Sequence, residues 1–189
     1  MKPIILKSSS PRRKEILTKM NLDFKIKVFD VDETLDPNLT PFENVKLLGL
    51  KKASSNKNDF KDHIQIGCDT IVVLDGVIYG KPKDRDDAYR MLKDLSGKMH
   101  QVMSGLAVIY NDKVYNDVAV SNVYFKELTD KEINDYIESG EPFGKAGAYA
   151  IQGLGGALVD HYEGSLTNII GLPQELLESI LEKLNHESK

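Results

Sequence analysis

The chain holds one cysteine, Cys68, and no tryptophan in 189 residues. A single cysteine excludes an internal disulfide and any multi-cysteine zinc site. The four histidines, His63, His100, His161 and His186, are scattered and lack the paired helical spacing of a metalloprotease. Long apolar runs are also lacking. The stretches 3–6 and 71–74 fall far short of the ~20 residues that a membrane-spanning helix needs. A start with Lys2 followed by only four apolar residues does not make a signal peptide. These absences predict a cytoplasmic protein with no membrane partner. Aromatic residues are only 7% and the net charge is -4, which disfavours both duplex DNA and a single-stranded nucleic-acid platform as partners.

The charge is uneven. Residues 1–30 hold eight Lys and Arg against three Asp and Glu, and the remaining 159 hold 17 against 26. A basic N-terminal segment on an acidic chain suits a small anionic ligand. With 41% hydrophobic and 29% charged residues, the length fits one domain spanning 1–189, without an evident linker or repeat.

Periodicity alternates between strand and helix. Residues 3–6 read as a buried strand, and 11–20 as a helix with Ser10 as N-cap and Pro11 at its first position. A half-buried strand follows at 24–28, then a helix at 43–53. Strand signals at 64–67 and 71–74 lead through Asp75-Gly76 into a hairpin with 77–79. Residues 84–95 carry helical spacing, 101–125 are β-rich with a break at Asn111-Asp112, and Thr129 opens a capping box. A strand at 157–159 and a helix from about Pro173 complete the chain. Interleaved elements with long hairpins predict an α/β fold with a mixed sheet.

Four segments can carry chemistry. Ser8-Ser9-Ser10-Pro11-Arg12-Arg13 lies at a strand-to-helix junction. A helix N-terminus, hydroxyl donors and planar guanidinium forks all suit phosphate, whereas two arginines in the first turn oppose the helix dipole. A capped helix with a solvated basic turn is the plainer reading. Asp69, in Gly67-Cys68-Asp69-Thr70, interrupts an apolar run where β-propensity disfavours Asp. It fits a proton acceptor, a metal ligand or a tight turn. Cys68 has no identifiable histidine partner and reads as buried. The carboxylates of Asp30-Val31-Asp32-Glu33 suit magnesium and Lys52 and Lys81 suit phosphate, although each taken singly reads as an ordinary surface charge and Gly80-Lys81-Pro82 lacks the spacing of a Walker A loop. Lastly, residues 144–156 hold five glycines around Gln152, whose amide has the donor and acceptor needed to read a base edge.

Taken in order, these segments resemble the Maf family of nucleotide pyrophosphatases. The likeness runs through Ser8-x-Ser10-Pro11-Arg12-Arg13, Glu33, Lys52-Ala53, Gly67-x-Asp69-Thr70 and Gly80-Lys81-Pro82. It continues through Leu95-Ser96-Gly97-x-x-His100-x-Val102 and Lys145-Ala146-Gly147-Ala148-Tyr149-x-Ile151-Gln152-Gly153 to Gly171-Leu172-Pro173. The resemblance implies an elongated, twisted mixed sheet with two lobes and a central cleft, related to the inosine triphosphate pyrophosphatases.

It also implies hydrolysis of dTTP and UTP to the monophosphate and pyrophosphate, with Mg2+ or Mn2+ as cofactor. Asp69 would be the proton acceptor, and Glu33 with Asp69 the metal ligands. Ser8, Ser10, Arg12, Arg13, Lys52, Thr70, Lys81 and Gln152 would bind substrate, Thr70 and Gln152 discriminating the base. The sister branch acting on 7-methyl-GTP and a non-catalytic, division-linked nucleotide regulator are the alternatives, and a homodimer is compatible with either. Lys7 and Gly144 depart from the family pattern: Lys7 is expected to add charge near the phosphate loop, and Gly144 to alter the loop facing the base.

Overall fold

The computed structural model describes residues 2–187. Along the chain run β1 (Ile4–Leu6), α1 (Pro11–Lys19), β2 (Phe24–Ile26), α2 (Pro41–Ser54), β3 (Ile64–Leu74), β4 (Val77–Tyr79) and α3 (Arg85–Leu95). Then come β5 (Met99–Tyr110), β6 (Lys113–Phe125), α4 (Asp130–Glu138), β7 (Val159–Glu163), α5 (Leu166–Ile170) and α6 (Gln174–His186). The strands form one mixed sheet in the order β2-β1-β3-β5-β6-β7, with β4 added to β3. β1 is parallel to β2 and β3, whereas β4 is antiparallel to β3 and β7 to β6. The α/β class with a mixed sheet is therefore as expected.

Local chemistry sets the element ends. α2 and α4 each open with a complete capping box, Thr40 with Glu43 and Thr129 with Glu132. Asp84 caps α3 through the Asp87 amide. Asp75 and Gly76 both take positive φ, 49° and 77°, the backbone of a tight hairpin turn between β3 and β4.

Two sequence expectations change. The strand signals at 64–67 and 71–74 belong to one continuous strand, because Asp69 stays extended within β3. The expected strand at 157–159 is instead a 3-10 segment, Leu154–Leu158, with β7 beginning at Val159. Gly153, Gly155 and Gly156 let the chain coil tightly there, and bonds such as Gly156 N–H to Gly153 O replace strand pairing.

The chain divides into two compact units. The first comprises Met1–Thr70, Ser104–Ala119 and Gly171–Lys189; the second comprises Ile71–Met103 and Val120–Ile170. In the first unit α2 lies almost directly on strand backbone. A Cβ on Gly67 would fall 2.2 Å from Ala53 N, and one on Gly105 1.9 Å from Val45 O, so only glycine allows the approach. The second unit is built around an apolar core. Leu92, Leu95 and Met91 of α3 join Ile133 and Ile137 of α4, Val72 and Leu74 of β3, and Val123 and Phe125 of β6. Among the described residues, no helix is long and apolar enough to cross a membrane.

Candidate active site

In the first unit, the loop from β1 into α1 places its side chains on one another. Ser10 caps α1 by accepting the Arg13 amide at 3.4 Å, and its own N–H donates to Ser8 Oγ at 3.2 Å. Arg13 is buried, and its guanidinium donates three ways: to Ser8 Oγ at 3.1 Å, to Thr70 Oγ1 at 3.1 Å and to Gly171 O at 2.7 Å. Thr70 Oγ1 also lies 2.8 Å from Ser104 Oγ. Arg12 is half-buried, and burial, then the neighbouring Arg13 charge, pulls its pKa below the ordinary value. No acidic residue lies in the first turn of α1. Two guanidinium groups at a helix N-terminus thus repel each other and oppose the dipole, a cost that a bound anion offsets.

Beside this pole, Lys52 from the last turn of α2 bridges two carboxylates. Its Nζ sits 2.6 Å from Asp69 Oδ1 and 2.7 Å from Glu33 Oε1. Lys52 and Asp69 are 15% and 18% exposed at the side chain and Glu33 is 59%, so the Lys52–Asp69 contact is the better shielded of the two. The close approach at Gly67 makes the geometry possible, since the helix bearing Lys52 touches the strand bearing Asp69 two residues from the carboxylate.

Lys7 corrects an expectation. It does not add charge to the phosphate loop but turns into the protein, with only 4% exposure. Its Nζ donates to Ala53 O at 2.7 Å, to Ser55 O and to Gln65 Oε1 at 2.7 Å, capping the C-terminal carbonyls of α2 from a neighbouring strand. Burial lowers its pKa to about 8, partly opposed by Asp59. Cys68 is buried with its Sγ 3.5 Å from Gly171 O, and burial pushes its thiol pKa up, the opposite of an activated nucleophile.

In the second unit, Lys81 and Gln152 are both exposed. Gly80 O accepts the Gly147 amide at 3.1 Å, tying the Gly80-Lys81-Pro82 segment to the glycine-rich loop. Gly144 is exposed in that loop and takes φ 78°. Below the loop, buried His100 holds Tyr149: Nε2 lies 2.7 Å from the phenol oxygen, and both rings pack edge-on against Phe125. Burial lowers the His100 pKa to about 4, so the imidazole is neutral at physiological pH.

The structure thus gathers eight sequence-predicted residues in the first unit. Ser8, Ser10, Arg13 and Thr70 form one hydrogen-bonded set, with Arg12 beside it, and Glu33, Lys52 and Asp69 form another. Asp69 and Thr70 are neighbours on β3, which joins the two sets. Lys81 and Gln152 belong to the second unit. Sequence reading missed the supporting residues Gln65, Ser104, Tyr136 and Glu141. Gln65 alone had a signal, as a polar residue inside an apolar strand.

A strand-to-helix anion pole beside a lysine-bridged carboxylate pair, on a mixed α/β sheet, defines a phosphate-handling protein. The Maf-like protein family matches residues 3–184, and the chain belongs to that family. A dTTP/UTP pyrophosphatase of Caldicellulosiruptor saccharolyticus is 42% identical over 99% of this chain and 97% of its own length. One from Pelotomaculum thermopropionicum is 44% identical over 98% of each. Among solved structures, the Ham1 protein of Staphylococcus aureus is similar with a TM-score of 0.47 at 19% identity, over 68% of this chain and 73% of that one.

Proposed function

We propose that this protein hydrolyses dTTP and UTP to the nucleoside monophosphate and pyrophosphate. The observation that carries the reading is the Lys52 bridge between Asp69 and Glu33 beside the basic start of α1. It sets a carboxylate base next to a site for polyphosphate, in a chain whose relatives are named dTTP/UTP pyrophosphatases. Nucleoside triphosphates are abundant in the cytoplasm, where we place the activity.

In this mechanism Arg12 and Ser10, at the start of α1, receive the phosphates. Ser8 and Arg13 bond to each other and fix the loop, Arg13 adds positive charge, and Lys81 supplies a point charge. Lys52 holds Asp69 through Oδ1, so that the other carboxylate oxygen can take a proton from water. The water oxygen bonds to the α-phosphorus, the bond from that phosphorus to the bridging oxygen breaks, and pyrophosphate leaves. Positioning and charge neutralisation provide most of the acceleration. Gln152 and Thr70 would discriminate the base, Gln152 by pairing with the uracil or thymine edge.

No group of three or more His, Cys, Asp and Glu side chains among the described residues forms a metal cage. The position between Asp69 and Glu33 is held by the Lys52 ammonium; their oxygen chemistry fits Mg2+ or Mn2+, which takes one or two carboxylates and completes its shell with phosphate oxygens and water, at oxygens other than those Lys52 engages. Asp69 and Glu33 would hold the ion, which would spread the phosphate charge. A non-catalytic regulator has no use for a positioned base, and nothing in the loop around Gln152 favours 7-methyl-GTP.

Phosphorus NMR with UTP, dTTP, ATP and 7-methyl-GTP tests the reading. UMP and dTMP should appear with pyrophosphate, and Asp69→Asn should lower turnover ~100-fold or more while leaving the fold intact. Saturable binding without hydrolysis would instead make the protein a nucleotide sensor.

A further inference from the structure

Gln152 sits at the third position of a β-turn closed by the Gly153 amide on Ala150 O at 3.2 Å. Both legs of that turn are tied to one phenol–carboxylate pair. On the incoming leg, the Ala150 amide donates to Tyr136 Oη at 3.2 Å. On the outgoing leg, the Leu154 amide donates to Glu141 Oε1 at 3.0 Å and the Gly155 amide to Glu141 Oε2 at 2.8 Å. Tyr136 closes the circuit by donating its hydroxyl to Glu141 Oε2 at 2.5 Å. The carboxylate therefore accepts three hydrogen bonds, and bonds to an ionised acceptor are about twice as strong as neutral ones. Burial first, then Glu141, raises the Tyr136 pKa far above its ordinary value, which keeps the phenol a donor.

Gly153 fits the same geometry. Its φ of -102° suits any residue, yet a Cβ there would lie 1.7 Å from Glu141 Oε1. The glycine is needed for the carboxylate, not for the backbone turn.

We propose that Glu141 and Tyr136 are positioning residues for base selection, clamping the 150–155 turn so that Gln152 presents its amide in one place. This rests on the reading of Gln152 as the group that meets the base. Neither clamp residue touches the reaction; each acts through the loop. A side chain on a turn fixed at both legs loses little further freedom on binding, which favours the base it matches over others.

The test compares Glu141→Gln, Tyr136→Phe, Gly153→Ala and Gln152→Ala in the full chain. The measurements are kcat and KM for UTP and ATP, together with amide exchange. A glutamine at 141 faces three donors, two of them amides, with only one acceptor oxygen, so the outgoing leg loses one of its two bonds. Gly153→Ala displaces the carboxylate without altering it, and serves if Glu141→Gln fails to fold. Each clamp variant should lose about 10-fold in the preference for UTP over ATP, mostly through the UTP KM. Exchange should quicken at Leu154 and Gly155 but not in β5 or β6. A merely structural role would lower kcat for both nucleotides alike, and that result overturns the proposal. If Gln152→Ala shifts the preference while the released-loop variants do not, the clamp alone is wrong. If Gln152→Ala leaves the preference unchanged, the assignment of Gln152 falls and the clamp's role falls with it.

Discussion

The two units solve the same problem with different materials. In the first, functional side chains are held by charge and by backbone contact: Lys52 bridges two carboxylates, Arg13 spans three acceptors, and glycines let α2 rest on strand backbone. In the second, a broad apolar core carries a loop pinned by backbone amides to Glu141 and Tyr136 and by His100 to Tyr149. Under the proposed function, the first arrangement would fix charged groups for a polyanion. The second would fix the Gln152 amide for one base against others. Chemistry tolerates screened, half-exposed ion pairs, whereas discrimination needs a rigid frame.

Breaking the first arrangement at its backbone contact should have the largest effect on stability. Gly67→Ala forces α2 off β3, and about 3 kcal/mol or more of destabilisation is expected in denaturant melts. Activity should fall with it, because the Lys52–Asp69 contact opens. Gly80→Ala, at a glycine without positive φ and with nothing within 4 Å of an added Cβ, is the control for a mere change of residue.

The second arrangement should reveal itself through acid. His100 keeps its proton off in the folded chain until about pH 4, while the unfolded chain protonates near 6.5. Between those values the unfolded state binds more protons, so stability is full above pH 6.5 and falls as the pH drops toward 4. The loss is about 3 kcal/mol. Melts of His100→Phe across this window should show a flatter acid limb, and an unchanged limb would remove His100 from that role.

A smaller effect is expected at Lys7. Lys7→Met keeps the apolar stem but leaves Ala53 O, Ser55 O and Gln65 Oε1 without their donor, for about 2 kcal/mol. Because α2 carries Lys52, turnover should decline modestly. A variant as stable as the parent would show that water replaces the ammonium.

The fold class was legible in the sequence because strand and helix periodicities alternate cleanly and the caps at Ser10 and Thr129 are local signals. Asp69 announced itself by standing in an apolar run, yet it does not break the strand, since a partly exposed carboxylate with Lys52 as partner is compatible with extended backbone. The glycine-rich 154–158 segment was misread because glycines permit either extension or a tight coil, and only the amide bonds to Glu141 decide. Lys7 reads in the sequence as added charge near the phosphate loop, since nothing local tells that three acceptors, from residues about 46 to 58 positions away, surround its ammonium. The lone signal for that pocket was Gln65. Glu141 lies thirteen residues from the first amide it binds, beyond the reach of any local pattern.

The central claim is that water, deprotonated at Asp69, attacks the α-phosphorus. Hydrolysis of UTP in 18O-labelled water, read by phosphorus NMR and mass spectrometry, tests it most directly. The account predicts one labelled oxygen in UMP and none in pyrophosphate, with the labelling rate collapsing in Asp69→Asn. Label in pyrophosphate, or UDP with labelled orthophosphate, would contradict it.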